Sequence, residues 1–519
     1  MNFKEHLQTH IVRLDGGMGT LLQKAGLLPG ECPERWNLTH PEQVIAIHTD
    51  YFNAGSHVVS TNTFGANRLK FSSEELDRII RAAVENARTA ACRSTSEHEK
   101  FVALDIGPTG KLLKPLGTLD FEDAVSVFAE TVRLGVRYGV DLILIETMSD
   151  CYETKAALLA AKENSSLPVI VTNAYGADGK LMTGASPAAM VALLEGMGAD
   201  AVGANCSLGP KQLRSVAEEL LSCASVPVVM KPNAGLPRVT ADSTVVYDVD
   251  ADEFAEELKN LLRLGVRVVG GCCGTTPAYI RALTEQTQDI LPCPLTDKNL
   301  SVVSSYTRAV SFEDAPILIG DRIHPTNKEL FAQGLTEEDM EDIVSEGIEQ
   351  MEEGAHILKV NVALPDSNEA ELLPAAVCEL QTLLSLPLQI DTADPAAMEA
   401  AMRRYNGKAM IHSVNGTEKS MNAVFPLIKK YGGLAVALTQ DENGIPETAE
   451  ERLTVAKHIL DVANTYGIAK KDILFDSASL AVSAASDADS VTSETLRRIR
   501  TELKAHTALD IAGISSEPS

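Results

Sequence analysis

A chain of 519 residues exceeds what one ordinary core accommodates, so two domains are expected. Its 45% hydrophobic and 23% charged residues, with a single Trp, describe globular domains packed mainly with aliphatic side chains. The formal net charge of −27 argues against nucleic acid and anionic membrane as partners, because phosphate contacts need clustered Lys and Arg and no such basic run occurs.

The opening residues, MNFKEHLQTHIVRLDGG, reach acidic and polar side chains before any long apolar stretch, and no window holds about 18 consecutive apolar residues, which points to a cytoplasmic protein. Short apolar runs then recur, each ending in small or polar residues and followed by a helix-like stretch: IVRLDGG, SHVVSTNT, FVALDIGP, LILIETM, VIVTNAY, ADAVGANC, PVVMKPN and VRVVGGCC. Eight near-continuous apolar strands alternating with helices predict a closed (β/α)8 TIM barrel over residues 1–290. An open doubly wound sheet fits less well, since no GxGxxG follows the first run.

Around 284–312 the pattern lapses into polar sequence with scattered prolines, and 291–313 reads as a linker. A second series follows over 314–519: PILIGDR, HILKVNV, LPLQIDT, AMIHSV, LAVALTQ, DILFDSA and ALDIAGIS. These seven runs predict a second, TIM-like barrel lacking its last βα unit. A barrel needs closure to remove its edges, so either the chain is a fragment or the linker, the first domain or another subunit covers the gap.

Nine cysteines are too sparse for a disulfide framework, and Cys92, Cys151, Cys223, Cys293 and Cys378 read as small core or linker side chains. Cys206 ends the sixth run, and Cys272 with Cys273 end the eighth. A TIM barrel gathers its site at these strand ends, so three thiols converge on one rim. Three thiolates and one open position suit a catalytic zinc, and the flanking glycines let consecutive side chains face one metal. Such a site would activate a substrate thiol as a nucleophile. Glu146 closes LILIE and faces either the site or a costly unpaired burial. Asp15 ends the first strand and either shapes the loop or holds substrate. Asn62 and Asn233 also end strands, and either could offer an oxygen to the metal before substrate arrives.

The motifs GANCSLGP, KPNAGLP and GGCCGTTP, with LDGGMGT, STNTFGANR, DIGPTG and ETM, resemble the zinc-dependent homocysteine S-methyltransferases, most closely the homocysteine module of cobalamin-dependent methionine synthases, over about residues 10–290. The resemblance implies that Cys206, Cys272 and Cys273 hold Zn2+, that homocysteine sulfur takes the open position, that Glu146 pairs with its ammonium and that backbone N–H groups at the rim receive its carboxylate.

In the second half, IGDRIHPTN, LKVNVALPD, LQIDTADP, IHSVNG and DENGIPETAEER resemble the methyltetrahydrofolate-binding barrel that follows that module. Asn361, Asp391 and Asp476 match polar groups that hold the pterin ring in that family, and acids suit the donor edge of an aminopyrimidinone. The pattern departs at Lys359, where the family has an acid, and at His412, where it has an amide. Both changes remove partners from a pocket that needs its polar groups paired, so methyltetrahydrofolate binding is set against an altered second site. His324 and His412 read as polar lining rather than metal ligands, for want of ligand spacing. No DxHxxG cobalamin signature occurs, so methylcobalamin would arrive on a separate corrinoid protein. The expected activity is methyl transfer to zinc-activated homocysteine, giving methionine. Sulfonium or betaine donors are the alternative within the enzyme class, and a non-catalytic pterin- or corrinoid-protein binding module is the alternative outside it.

Overall fold

The computed structural model describes residues 2–239, 245–313, 317–325, 340–364, 367–476, 486–507 and 511–514. Its contacts divide into two compact units, one holding Met1–Glu195 and Ala199–Lys298, the other Gly196–Gly198 and Asn299–Ser519.

All eight apolar runs of the first half become strands: β1 (Val12–Arg13), β2 (Val58–Ser60), β3 (Phe101–Ile106), β4 (Leu142–Met148), β5 (Val169–Asn173), β6 (Ala201–Asn205), β7 (Val228–Lys231) and, beyond a hairpin of β8 (Pro237–Val239) and β9 (Val245–Tyr247), β10 (Val268–Val269). Their order is β1-β10-β7-β6-β5-β4-β3-β2, all parallel. His57 N donates to Arg13 O at 2.8 Å, joining the two ends into a ring. Every residue of β2, β3, β5, β6 and β7 is buried, as expected of strands covered on both faces. A helix, Phe3–Thr9, plugs the end where the strands begin. Asn2 and Glu5 form its capping box, Phe3 and Leu7 join the barrel core, and Arg267 donates to the carbonyls of Leu7 and Gln8 at its far end. Among the described residues no helix is long and apolar enough to cross a membrane.

The second unit opens with a hairpin, β11 (Val302–Ser304) and β12 (Ala309–Ser311), and continues with β13 (Ile317–Ile323), β14 (Ile357–Val360), β15 (Leu388–Asp391), β16 (Ala409–Asn415), β17 (Gly433–Leu438), β18 (Ile473–Asp476), β19 (His506–Thr507) and β20 (Ile511–Ile514). The stretch expected to be a linker is therefore partly structured. Val303 and Phe312 pack with Ile317, Ile319, Ile357 and Leu474, while Ser304 N donates to Lys408 O and Tyr405 Oη donates to Ser304 O. Sequence alone missed this because a three-residue strand carries too short a pattern to register.

The parallel row runs β19-β18-β17-β16-β15-β14-β13-β20. Its two outermost strands are nearly consecutive in the chain. Eight flat strands would hold their edges about 34 Å apart, whereas the four steps from Thr507 to Ile511 span at most about 14 Å. The row must curl back on itself, but among the described residues β19 pairs only with β18 and β20 only with β13, so the second unit is a TIM-like barrel short of a full set of βα units, as the sequence predicts.

Phe312→Ala should therefore destabilise the second unit by about 3–5 kcal/mol. Trp36, the sole tryptophan, is buried in the first unit, so its fluorescence transition in urea should stay put while the circular-dichroism transition moves to lower denaturant.

Candidate active site

The strand ends of the first barrel enclose a cavity of about 320 Å³. The sulfurs of Cys206, Cys272 and Cys273 lie on its wall within 4.8 Å of one another. Cys206 follows β6 with φ +60°, and its neighbour Ser207 has φ +57°. This left-handed turn, unusual for side chains with a Cβ, swings the thiol out of the strand's alternation and into the cavity. Asn205 offsets the strain. Its Oδ1 accepts from Thr147 N at 2.7 Å and from Thr172 Oγ1 at 2.8 Å, and its Nδ2 donates to Thr147 Oγ1 at 2.7 Å, locking the ends of β4, β5 and β6 together.

Beyond β10, Cys272 N donates to Pro232 O at 2.9 Å and Cys273 N to Asn233 Oδ1 at 3.0 Å. The loop after β1 packs so closely on this turn that a Cβ on Gly17 would stand 2.8 Å from Cys272 O. Gly274 has φ +83°, and a Cβ there would collide with the ring of Tyr247, which lines the cavity from β9.

Cys206 Sγ and Cys273 Sγ are 3.9 Å apart. Tetrahedral zinc with Zn–S bonds near 2.3 Å requires sulfurs about 3.8 Å apart, so the donor set fits that ion. Left to themselves the thiols resist ionisation. At Cys206 the hydrogen bond with Cys272 lowers the pKa, but that with Cys273 and burial carry it up to about 11. At Cys273 the bond with Cys206 lowers it, while that with Cys272 and burial push it up to about 12. A bound dication reverses this balance.

The same cavity carries an acidic wall of Asp15, Asp105 and Glu146, with Lys231 among them. Lys231 Nζ is 2.7 Å from Glu146 Oε2 and 3.6 Å from Asp15 Oδ1. Burial opposes its charge, but Glu146 and Asp15 outweigh burial and hold its pKa well above the usual lysine value. Asp15 accepts from Ser60 N at 2.7 Å and Ser60 Oγ at 3.1 Å. Burial, then the charge of Glu146, pushes Asp105 well above the carboxylate range.

Six of the candidate residues thus share one cavity: Cys206, Cys272, Cys273, Glu146, Asp15 and Asn62. The Nδ2 of Asn62 donates to Pro33 O at 2.7 Å, and Asn233 holds the backbone of Cys273. Asp105, Lys231, Asn205 and Tyr247 were not anticipated. The first two carry the signal that marked Glu146, a charged residue closing an apolar strand, in VALD and VVMK.

In the second unit, Asp391 at the end of β15 is clamped by three donors. His412 Nδ1 lies 2.9 Å from Oδ1, while Lys359 Nζ and Asn361 Nδ2 each lie 3.1 Å from Oδ2. Burial opposes the charge, yet the bond and charge of His412, the ammonium of Lys359 and the Asn361 bond hold this carboxyl far below its usual range. Asp476 ends β18, three strands along the ring.

Comparison with known proteins follows the same division. Residues 12–287 match the family model for homocysteine S-methyltransferase, and residues 320–515 match that for pterin binding enzymes. The methionine synthase of Mycobacterium leprae (strain TN) is 30% identical over 541 residues, covering 97% of this chain and 44% of the relative. That of Mycobacterium tuberculosis (strain ATCC 25618 / H37Rv) is 30% identical over 533 residues, covering 96% and 44%. The chain thus spans less than half the length of these curated relatives. Among solved structures, the apo homocysteine methyltransferase MmuM from Escherichia coli aligns with 24% identity and a TM-score of 0.44, over 54% of this chain and 97% of that one. A dihydropteroate synthase from Xanthomonas albilineans aligns with 20% identity and a TM-score of 0.30, over 40% and 75%.

The Asp391 clamp has a pH signature. A carboxyl whose folded pKa lies below its unfolded value of about 3.9 contributes stability above about pH 4 and loses it as pH falls toward the folded pKa. Lys359→Met combined with His412→Asn should flatten that acid limb in the second unit, read as circular-dichroism urea midpoints from about pH 6 to about pH 3. Trp36 fluorescence, which reports the first unit, should show an unaltered limb.

Proposed function

The chain belongs to the homocysteine S-methyltransferase family, whose model spans more than half of its length, and from that premise we propose that the first barrel transfers a methyl group to the thiol of homocysteine, forming methionine. The observation that carries this reading is the meeting of three cysteine sulfurs and an acidic wall in one cavity sized for a small amino-acid thiol.

Cys206, Cys272 and Cys273 would hold a zinc ion, which when bound supplies an open position and Lewis-acid activation of the substrate sulfur as thiolate. The chain's own residues do the rest. Asn205 and the turn around Gly274 fix the three thiols so that little reorganisation is left for the moment of reaction. The acidic wall, with Lys231 held within it, receives the substrate ammonium. Phe64, Met18 and Tyr247 at the mouth exclude water from the sulfur. In the reaction a sulfur–methyl bond forms as the methyl-to-donor bond breaks, its electron pair departing with the donor. The proposed donor is methylcobalamin, carried on a polypeptide outside these 519 residues. Three reduced thiols also favour the cytoplasm.

The second barrel is read as taking a pterin-class ligand, methyltetrahydrofolate being the first candidate, at Asn361, Asp391, His412 and Asp476. The clamp on Asp391 must loosen before that acid can meet a pterin. This favours a second reading for this half alone, a pterin- or corrinoid-protein binding module without methyl transfer of its own.

Cys273→Ala should lose its zinc and at least roughly 100-fold of its methyl-transfer rate while keeping its circular-dichroism spectrum, because the rim lies outside the packed core. Metal analysis, loss of methylcobalamin absorbance and methionine formation with homocysteine check it. Unchanged zinc content and unchanged turnover in the variant would remove the assignment. A zinc-loaded wild type that ignores methylcobalamin but accepts a sulfonium or betaine donor would change the donor alone.

A further inference from the structure

The acidic wall already holds a cation of its own. Lys231, with 3% of its side chain exposed, reaches Glu146 at 2.7 Å and Asp15 at 3.6 Å. Asp15 is further engaged by the amide and hydroxyl of Ser60. Asp105 differs. It is buried, it lines the same cavity, and its Oδ1 is buried without a hydrogen-bond partner.

We propose that Lys231 is a specificity-determining residue: by occupying Glu146 and Asp15 from within, it leaves Asp105 to receive the ammonium of the substrate, and so selects α-amino thiols over thiols that lack an amine.

Two arguments support this, both resting on the homocysteine reading above. A second ammonium brought to Glu146 would share it with Lys231, and like charges repel strongly where water cannot screen them. Meanwhile a buried carboxylate oxygen with no donor is costly, and a ligand ammonium is the donor that satisfies it. Burial and the charge of Glu146 already disfavour an ionised Asp105, a penalty that an arriving cation relieves. The cavity is lined by four carboxyl groups, Asp15, Glu34, Asp105 and Glu146, against one lysine, so a substrate cation brings it nearer to neutrality.

The test is calorimetric and independent of turnover. Zinc-loaded protein is titrated with homocysteine and with 4-mercaptobutanoate, which has the same carbon chain and thiol but no amine. Asp105→Asn should weaken homocysteine binding roughly 30-fold and leave 4-mercaptobutanoate within about threefold. In a Lys231→Met background, where Glu146 and Asp15 are released, the same Asp105→Asn change should cost homocysteine less than about fivefold.

Equal weakening of both ligands by Asp105→Asn, or an undiminished penalty in the Lys231→Met background, overturns the proposal while leaving the homocysteine reading intact. Failure of zinc-loaded wild type to take up homocysteine overturns both. Should Lys231→Met not fold, Lys231→Gln takes its place, and the near-isosteric Asp105→Asn comparison decides by itself whether the amine is read at Asp105.

Discussion

The mouth of the first barrel is tied across by one buried ammonium. Removing Lys231 from water costs several kcal/mol, and that cost is offset only because Glu146 and Asp15 meet it from other strand ends. The contact spans β7 to β4 and to the loop after β1, so three points on the ring are held in register by charge rather than by backbone bonding. Strand ends are where a parallel barrel has least backbone pairing to spare. A cross-barrel ion cluster therefore fixes the acidic wall of the cavity.

Sulfur placement relies on a different device. Adjacent cysteines on a regular strand would point to opposite faces. The chain avoids this with a glycine turn beyond β10 and a strained left-handed residue beyond β6, the latter held by the hydrogen bonds of Asn205. The strain sits at the site itself, whereas the hydrogen bonds that tolerate it belong to neighbouring strands. The three sulfurs are thus held close together by backbone and amide bonds, and the raised thiol pKa values reflect the same closeness of sulfur to sulfur.

Much of this was legible in the amino-acid order. Strands covered on both faces must be continuously apolar, so all eight runs of the first half and the runs of the second could be read directly, and the thiols followed from where three runs ended. What escaped was governed by partners distant in sequence. Lys231 closes an apolar strand as visibly as Glu146 does, but nothing local in VVMK names its partner, an acid 85 positions away. The Asp391 clamp shows the same limit: Lys359 and His412 were visible as departures, but their convergence on one carboxylate needed the ring. The β8 and β11 hairpins were missed for want of length.

The hairpin of β8 and β9 carries a last consequence. Two strands alone are marginal in water, and this pair exposes Val245 and Val246 outward while Tyr247 rests on the Gly274 turn beside Cys273. Arg238 and Asp248, 3.2 Å apart, add one surface ion pair at its base. Its order is therefore borrowed from the sulfur turn beneath it. Amide hydrogen exchange along this hairpin would act as an external gauge of the thiols, slow when the turn is set and fast when it is not, so the state of a buried centre can be read from the protein's outer skin.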